Sequence, residues 1–335
     1  MRYRQLGNSG LTVSELGFGA WTIGSDWWGH IPDDEARGML DRAFDLGVTF
    51  YDTADQYGEG RSERLIGEVF EGRRDRVVIA SKFGYDFYAG HTRDGHSELP
   101  QNFDPVFVRF ALEQSLRRLR TDYLDLWQIH NARMSTVQDE ALWRMLEDVV
   151  REGKVRHVGV ALGPAIGWLD EGIASMTERR IASLQIIYNM LEQDPGRELF
   201  PVAAERGVGL LVRVPHSSGL LEGHFTEDTV FPENDHRRHR PRGWLVNGLK
   251  KLQQLRFLLE GRDATIGQVA LKYIYAQPTV SSVLPNLYDS AQIEEFAAAS
   301  DVPDLTATEI ARADGLYDAN FGLEREVENA LPPAS

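Results

Sequence analysis

Cysteine is absent from the 335 residues, which excludes disulfides, thiolate zinc sites and cysteine nucleophiles and fits a reducing compartment. Basic residues are outnumbered: 36 Lys and Arg against 51 Asp and Glu leave a net charge of −15. Such a surface repels a nucleic-acid backbone, so no nucleic-acid partner is expected. No apolar run approaches the roughly 18 residues of a membrane helix, and the opening Met1-Arg2-Tyr3-Arg4-Gln5-Leu6-Gly7 has no secretory apolar stretch. A cytoplasmic location without membrane contact is the expectation. Linkers rich in glycine, serine or proline are missing as well, so residues 1–335 are expected to form a single domain.

What is present is an alternation. Short β-branched or apolar runs are separated by longer segments of helical period, the pattern of parallel strands joined by crossover helices. Eight strand candidates appear: Glu15–Gly19, Thr49–Ala54, Val77–Lys82, Tyr123–His130, Val155–Leu162, Ser183–Asn189, Val208–Pro215 and Val280–Pro285. Helical stretches such as Asp34–Leu46, Pro105–Leu119 and Glu140–Val150 lie between them, and Asp104 before Pro105 reads as a cap followed by a first-turn proline. Further helices over Thr265–Tyr275 and Thr306–Tyr317 are expected as additions to the core. Arg2–Val13, with Gly7-Asn8-Ser9-Gly10 at its centre, reads as a β-hairpin plugging one end. The fold class is therefore α/β, a (β/α)8 TIM barrel with an N-terminal β-hairpin and extra C-terminal helices, with an open doubly wound sheet as the alternative.

Barrels of this kind do chemistry at the C-terminal ends of their strands. Four residues stand there: Asp52, Tyr57 five positions on, Lys82 and His130. A lysine beside a carboxylate stays charged and lowers the pKa of a nearby phenol from about 10 toward working pH. A phenol so tuned serves as a general acid, and an imidazole donates to a carbonyl oxygen on which charge develops. That set suits carbonyl reduction by hydride.

These residues lie in segments that resemble the signatures of the aldo-keto reductase family: Asp52-Thr53-Ala54-Asp55-Gln56-Tyr57-Gly58, Ser81-Lys82-Phe83-Gly84 and Asp125-Leu126-Trp127-Gln128-Ile129-His130. The opening Leu6-Gly7-Asn8-Ser9-Gly10-Leu11-Thr12-Val13-Ser14 and Leu16-Gly17-Phe18-Gly19 are similar too. The resemblance spans residue 1 to about residue 320. It implies a TIM-barrel oxidoreductase that uses NADP, with NAD the alternative, needs no metal, and acts on a small carbonyl substrate or the matching alcohol. Tyr57 would be the proton donor, Lys82 and Asp52 its tuning pair, and His130 the group orienting the carbonyl.

Carried over in the same way, cofactor contacts fall on Trp21, on Gln185 for the carboxamide, on Arg213 beside the nicotinamide, and on Val214, Pro215, His216, Ser218, Gly219 and Leu220 for the pyrophosphate. Asn286, Tyr288, Gln292 and Glu295 follow the last strand. The chain departs from the family in three places. Gly159-Val160-Ala161-Leu162-Gly163-Pro164 replaces the usual Ser-Asn after strand five, Asn286-Leu287-Tyr288-Asp289-Ser290 after Pro285 holds no basic residue, and Glu295-Phe296 stands where Glu-Asn is expected. An adenosine 2′-phosphate needs cations, and Arg237, Arg238 and Arg240 in a loop that could fold over the cofactor are one source. Asn234, Asp235, His236 and His239 lack the carboxylate pattern of a metal site. Trp27, Trp28, Phe87 and Tyr88 are candidate pocket walls. A cofactor-sensing regulatory protein, or a redox-neutral enzyme with retained cofactor, stays open beside the reductase reading.

Overall fold

The structure is a computed structural model that describes residues 1–91, 98–163, 168–233 and 235–324. Among these, a two-stranded antiparallel hairpin comes first, β1 (Tyr3–Gln5) against β2 (Thr12–Ser14). Eight parallel strands follow: β3 (Phe18–Gly19), β4 (Phe50–Asp52), β5 (Val78–Phe83), β6 (Leu124–His130), β7 (Val155–Ala161), β8 (Ser183–Ile187), β9 (Gly209–Arg213) and β10 (Val280–Leu284). They are hydrogen-bonded in chain order. A parallel bridge between Leu16 and Val283 brings the first strand back to the last, with the Gly17 N–H on the Val283 carbonyl and the Val283 N–H on the Glu15 carbonyl, both at 2.8 Å. The ring is the expected (β/α)8 barrel. Residues 15–17 join it through this bridge rather than as regular strand, which is why β3 is shorter than expected.

Side chains alternate along each strand, and β6 shows what that does. Trp127 and Ile129 pack outward into the large core beneath the helices, whereas Leu126 packs inward with Phe50, Ala80, Leu211 and Leu284. Leu6 and Val13 from the hairpin join that inner cluster and plug the N-terminal end of the barrel. Gln128 and His130 share the inward phase of Leu126 and carry it toward the opposite, C-terminal mouth.

The crossover helices start where sequence chemistry sets them. Asp104 accepts from the amides of Val106 and Phe107 at the head of Pro105–Arg118, and Asp139 does the same for Ala141 and Leu142 at the head of Glu140–Arg151. The connection from β9 to β10 carries two long helices, Arg242–Leu255 and Ile266–Tyr275. Ile266–Tyr275, expected as an addition, is buried along its whole length and packs on β10. It acts as the crossover helix, and Arg242–Leu255 is the added one. Ala307–Asp318 follows the barrel near the C-terminus, started by a Thr306–Glu309 capping box.

Candidate active site

Strand register sets three of the four candidates at the C-terminal ends of three neighbouring strands, each two residues beyond the partner of the one before. Asp52 pairs with Ala80, Lys82 with Gln128, and His130 with Ala161, so all three reach the C-terminal mouth. Lys82 is 1% exposed, and its ammonium donates to Asp52 Oδ1 in a buried ion pair, to the Thr53 carbonyl at 2.9 Å, and to Tyr57 Oη at 3.3 Å. The other Asp52 oxygen accepts from Gln128 Nε2 at 2.8 Å and Gln185 Nε2 at 3.0 Å. A buried charge needs a partner and a full set of hydrogen bonds, and both members of this pair have them. Burial works against the Lys82 charge, but Asp52 and Tyr57 together outweigh it and the ammonium pKa is raised.

Tyr57 arrives from the loop after β4. The next residue, Gly58, has φ +59°, and a Cβ there would stand 1.9 Å from the Gly24 carbonyl oxygen, so only glycine lets this loop lie against the short helix Trp21–Gly24. Trp21, on that helix, places its ring 6.4 Å from the Tyr57 ring. Lys82 was expected to lower the phenol pKa. It does pull it down, but burial is larger and the pKa is raised overall, so Tyr57 stands as a protonated phenol held against an ammonium.

His130 meets the Tyr57 ring edge-on at 6.0 Å and the Tyr85 ring edge-on at 5.1 Å. Gln56 Nε2 lies 3.3 Å from His130 Nδ1. With the amide donating, Nδ1 accepts and the ring proton is on Nε2. The phenol, ammonium, imidazole and carboxylate thus converge around one mouth. Tyr85, Gln128 and Gln56 belong to the same cluster and were not singled out in the sequence. Gln128 was findable, because it lies two residues before His130 and so shares its inward face.

The segments expected to hold a dinucleotide surround this mouth. Arg213 ends β9 and donates to the Leu162 carbonyl at 2.9 Å; Pro164 lies outside the described residues. Beyond Arg213 the backbone turns left-handed at Val214, Ser217, Ser218 and Gly219. A Cβ on Gly219, at φ +97°, would come within 2.9 Å of the Phe225 ring and 3.0 Å of Arg237 Nη1. Loops after the seventh and eighth barrel strands, meeting the start of a short helix, are where such barrels hold phosphates, and backbone turns of this kind make anion-binding concavities. Here those parts are the loop 214–222, the loop 285–289 and the helix Ser290–Ala297. The residues present therefore fit a pyrophosphate group.

Not every expected contact turns toward this cleft. The His216 ring is buried, packs on Phe296 at 4.5 Å and donates from Nε2 to the Gly267 carbonyl at 3.1 Å, and burial lowers its pKa to about 4. Its other ring nitrogen, Nδ1, is buried without a hydrogen-bond partner. Glu295 accepts from the Thr265 hydroxyl at 2.5 Å, and the Gln185 amide nitrogen is on Asp52. Asn286 Nδ2 donates to Tyr288 Oη at 3.3 Å, and Gln292 Oε1 accepts from the Tyr288 amide at 3.0 Å.

Aromatic rings line the path between the two regions. Trp27 and Trp28 lie 5.9 and 5.6 Å from Trp21, and Trp28 lies 6.1 Å from Tyr288. Arg237 reaches in over this wall, 5.1 Å from the Trp28 ring and 4.8 Å from the Phe231 ring, while Asp235 accepts from its Nε and Nη2. Arg238 pairs with Glu233 and Arg240 lies over Trp244; of the three arginines, Arg237 is the one that meets the wall. Asn234 lies outside the described residues. Phe87 stacks on Tyr88, and Tyr88 packs on Phe107 and Phe110 and accepts from Arg118 at 2.8 Å. That pair is held by the helix Pro105–Arg118, and Tyr85 stands where a pocket wall was expected.

A family model described as the Aldo/keto reductase family matches residues 15–318. An uncharacterised oxidoreductase of Bacillus subtilis is 30% identical over 92% of this chain and 94% of its own length. The L-glyceraldehyde 3-phosphate reductase of Escherichia coli O157:H7 is 30% identical over 94% of this chain and 92% of its own. Among solved structures, the holo form of an aldo-keto reductase from Bacillus halodurans superimposes with a TM-score of 0.77 at 28% identity, covering 94% of this chain and 96% of that one.

Proposed function

The chain belongs to the aldo/keto reductase family and is an NAD(P)H-dependent oxidoreductase acting on carbonyls or alcohols; from that premise we propose that it reduces small aldehydes and ketones with Tyr57 as the proton donor. The observation that carries this reading is the 3.3 Å contact between Tyr57 Oη and a Lys82 ammonium anchored on Asp52.

Arg213, the Gln185 side-chain Oε1, the backbone of residues 214–220 and Tyr288 would hold the dinucleotide, with Trp21 and Trp28 walling it. When bound, the reduced nicotinamide supplies a hydride. Tyr57 gives its proton to the substrate oxygen as charge develops there, and the adjacent ammonium stabilises the phenolate left behind. Asp52, held by Gln128 and Gln185, keeps Lys82 charged and in place. His130 donates from Nε2 to the same oxygen and orients it. The rings of Trp21, Trp27 and Tyr85 exclude water from this mouth, which strengthens each of these interactions.

The test is steady oxidation of NADH and NADPH against a panel of aliphatic aldehydes, aromatic aldehydes, ketones and hydroxyaldehydes such as glyceraldehyde. Turnover with one carbonyl class supports the reading. Bound cofactor with no turnover across the panel contradicts it.

A further inference from the structure

The rim that would receive the adenosine end of the dinucleotide is acidic. Glu222 closes the turn Leu220–Glu222 directly after Gly219, and its side chain is 9% exposed. Gln292 Nε2 donates to Glu222 Oε2 at 3.2 Å, tying the loop after β9 to the helix after β10. Glu222 Oε1 stands 3.8 Å from His216 Nδ1, beyond hydrogen-bond range. Asp289 caps the same helix by accepting from the Gln292 amide at 2.8 Å.

The cation beside this rim is already matched. Arg237 makes two hydrogen bonds to Asp235, at 2.9 and 2.6 Å, and a third to the Ser218 carbonyl at 3.4 Å. A ribose 2′-phosphate arriving here would meet the carboxylates of Glu222 and Asp289 and an arginine whose charge is offset. A ribose carrying a free 2′-hydroxyl would meet an acceptor with an open lone pair. Acidic residues take ribose hydroxyls in dinucleotide sites, whereas the 2′-phosphate needs an arginine.

We propose that Glu222 selects the cofactor: its carboxylate accepts the adenosine ribose hydroxyls and, with Asp289, repels a 2′-phosphate, so that the protein binds NADH in preference to NADPH. The assignment rests on the dinucleotide reading of the preceding subsection. Burial pushes the Glu222 pKa up to about 7, against the pull of Arg237. A hydroxyl donor would relieve the unfavourable charge, and a second anion would add to it.

The experiment is equilibrium titration of the intrinsic tryptophan fluorescence with NADH and with NADPH, without substrate, at fixed salt. The native protein is expected to bind NADH at least tenfold tighter. Glu222→Gln is expected to cut that ratio at least fivefold, chiefly by tightening NADPH, and Asp289→Ser, whose hydroxyl oxygen can still cap the helix, to shift it the same way. Equal or tighter NADPH binding by the native protein, or an unchanged ratio in Glu222→Gln, overturns the assignment. Binding of neither cofactor overturns the dinucleotide reading itself, a result distinct from tight NADPH binding.

Discussion

Lys82 and Tyr57 meet at 3.3 Å, ammonium to phenol, although one closes a buried strand and the other rides a surface loop. The contact exists because Asp52, at the end of the neighbouring strand, fixes the lysine end of it. An ammonium so placed stabilises phenolate when the proton leaves, and it does so without leaving its own carboxylate.

Lys82→Met removes the ammonium and leaves Asp52 buried with two amides. The expected outcome is a fall in kcat on the order of 10² to 10⁴ with cofactor affinity little changed. Steady-state kinetics paired with fluorescence titration reads both.

His130→Gln keeps a donor near the substrate oxygen but loses the ring that packs on Tyr57 and Tyr85. We expect kcat/KM for carbonyls to drop about 10²-fold. Gln56→Leu, which leaves His130 Nδ1 without its amide donor, lowers it less, by roughly tenfold or under. An unaltered kcat/KM in His130→Gln would remove the imidazole from the mechanism.

Gly58→Ala drives a methyl into the Gly24 carbonyl at a left-handed position. The strain costs on the order of 1 to 3 kcal/mol, and the loop relieves it by swinging Tyr57 away from Lys82. Thermal unfolding and kcat should fall together.

Glu222 sets a pH dependence with a definite sign. Its pKa rises from about 4.5 unfolded to about 7 folded, so between those values the native state holds more protons and stability falls as pH rises. The cost is complete above about pH 7 and, by linkage, is of order 3 kcal/mol. Burial sets most of this shift; Arg237 and Gln292 pull the pKa down, Glu295 and Asp289 push it up, and His216 Nδ1 stands 3.8 Å from the carboxyl. Glu222→Gln removes it, so the variant should gain on the native protein from pH 5 to pH 8 in denaturant titrations. His216 acts oppositely: held neutral with a pKa of about 4, it takes stability away as pH falls below about 6.5.

Buried parallel strands read as continuous apolar runs, so the barrel and the polar residues that end its strands were legible from residue order. Asp52, Lys82 and His130 each follow such a run. The Gln128 and Gln185 bonds to Asp52 were less legible, because they depend on register between strands far apart in the chain. Tyr57 shows another limit: the neighbouring lysine can be read from a motif, but the burial that outweighs it comes from Trp21 and His130 on other elements. The matching of Arg237 by Asp235 sits within three residues, yet its place over Trp28 needed the fold. Glu222 gave no signal at all until Gln292 was brought to 3.2 Å from it.

The most direct measurement is a single-turnover comparison of native protein and Tyr57→Phe, each loaded with reduced cofactor and mixed with an aldehyde. Expected is unchanged cofactor affinity with a hydride-transfer rate at least a hundredfold slower in the variant. Equal rates would mean that another group supplies the proton and that the contact between Tyr57 and Lys82 is structural.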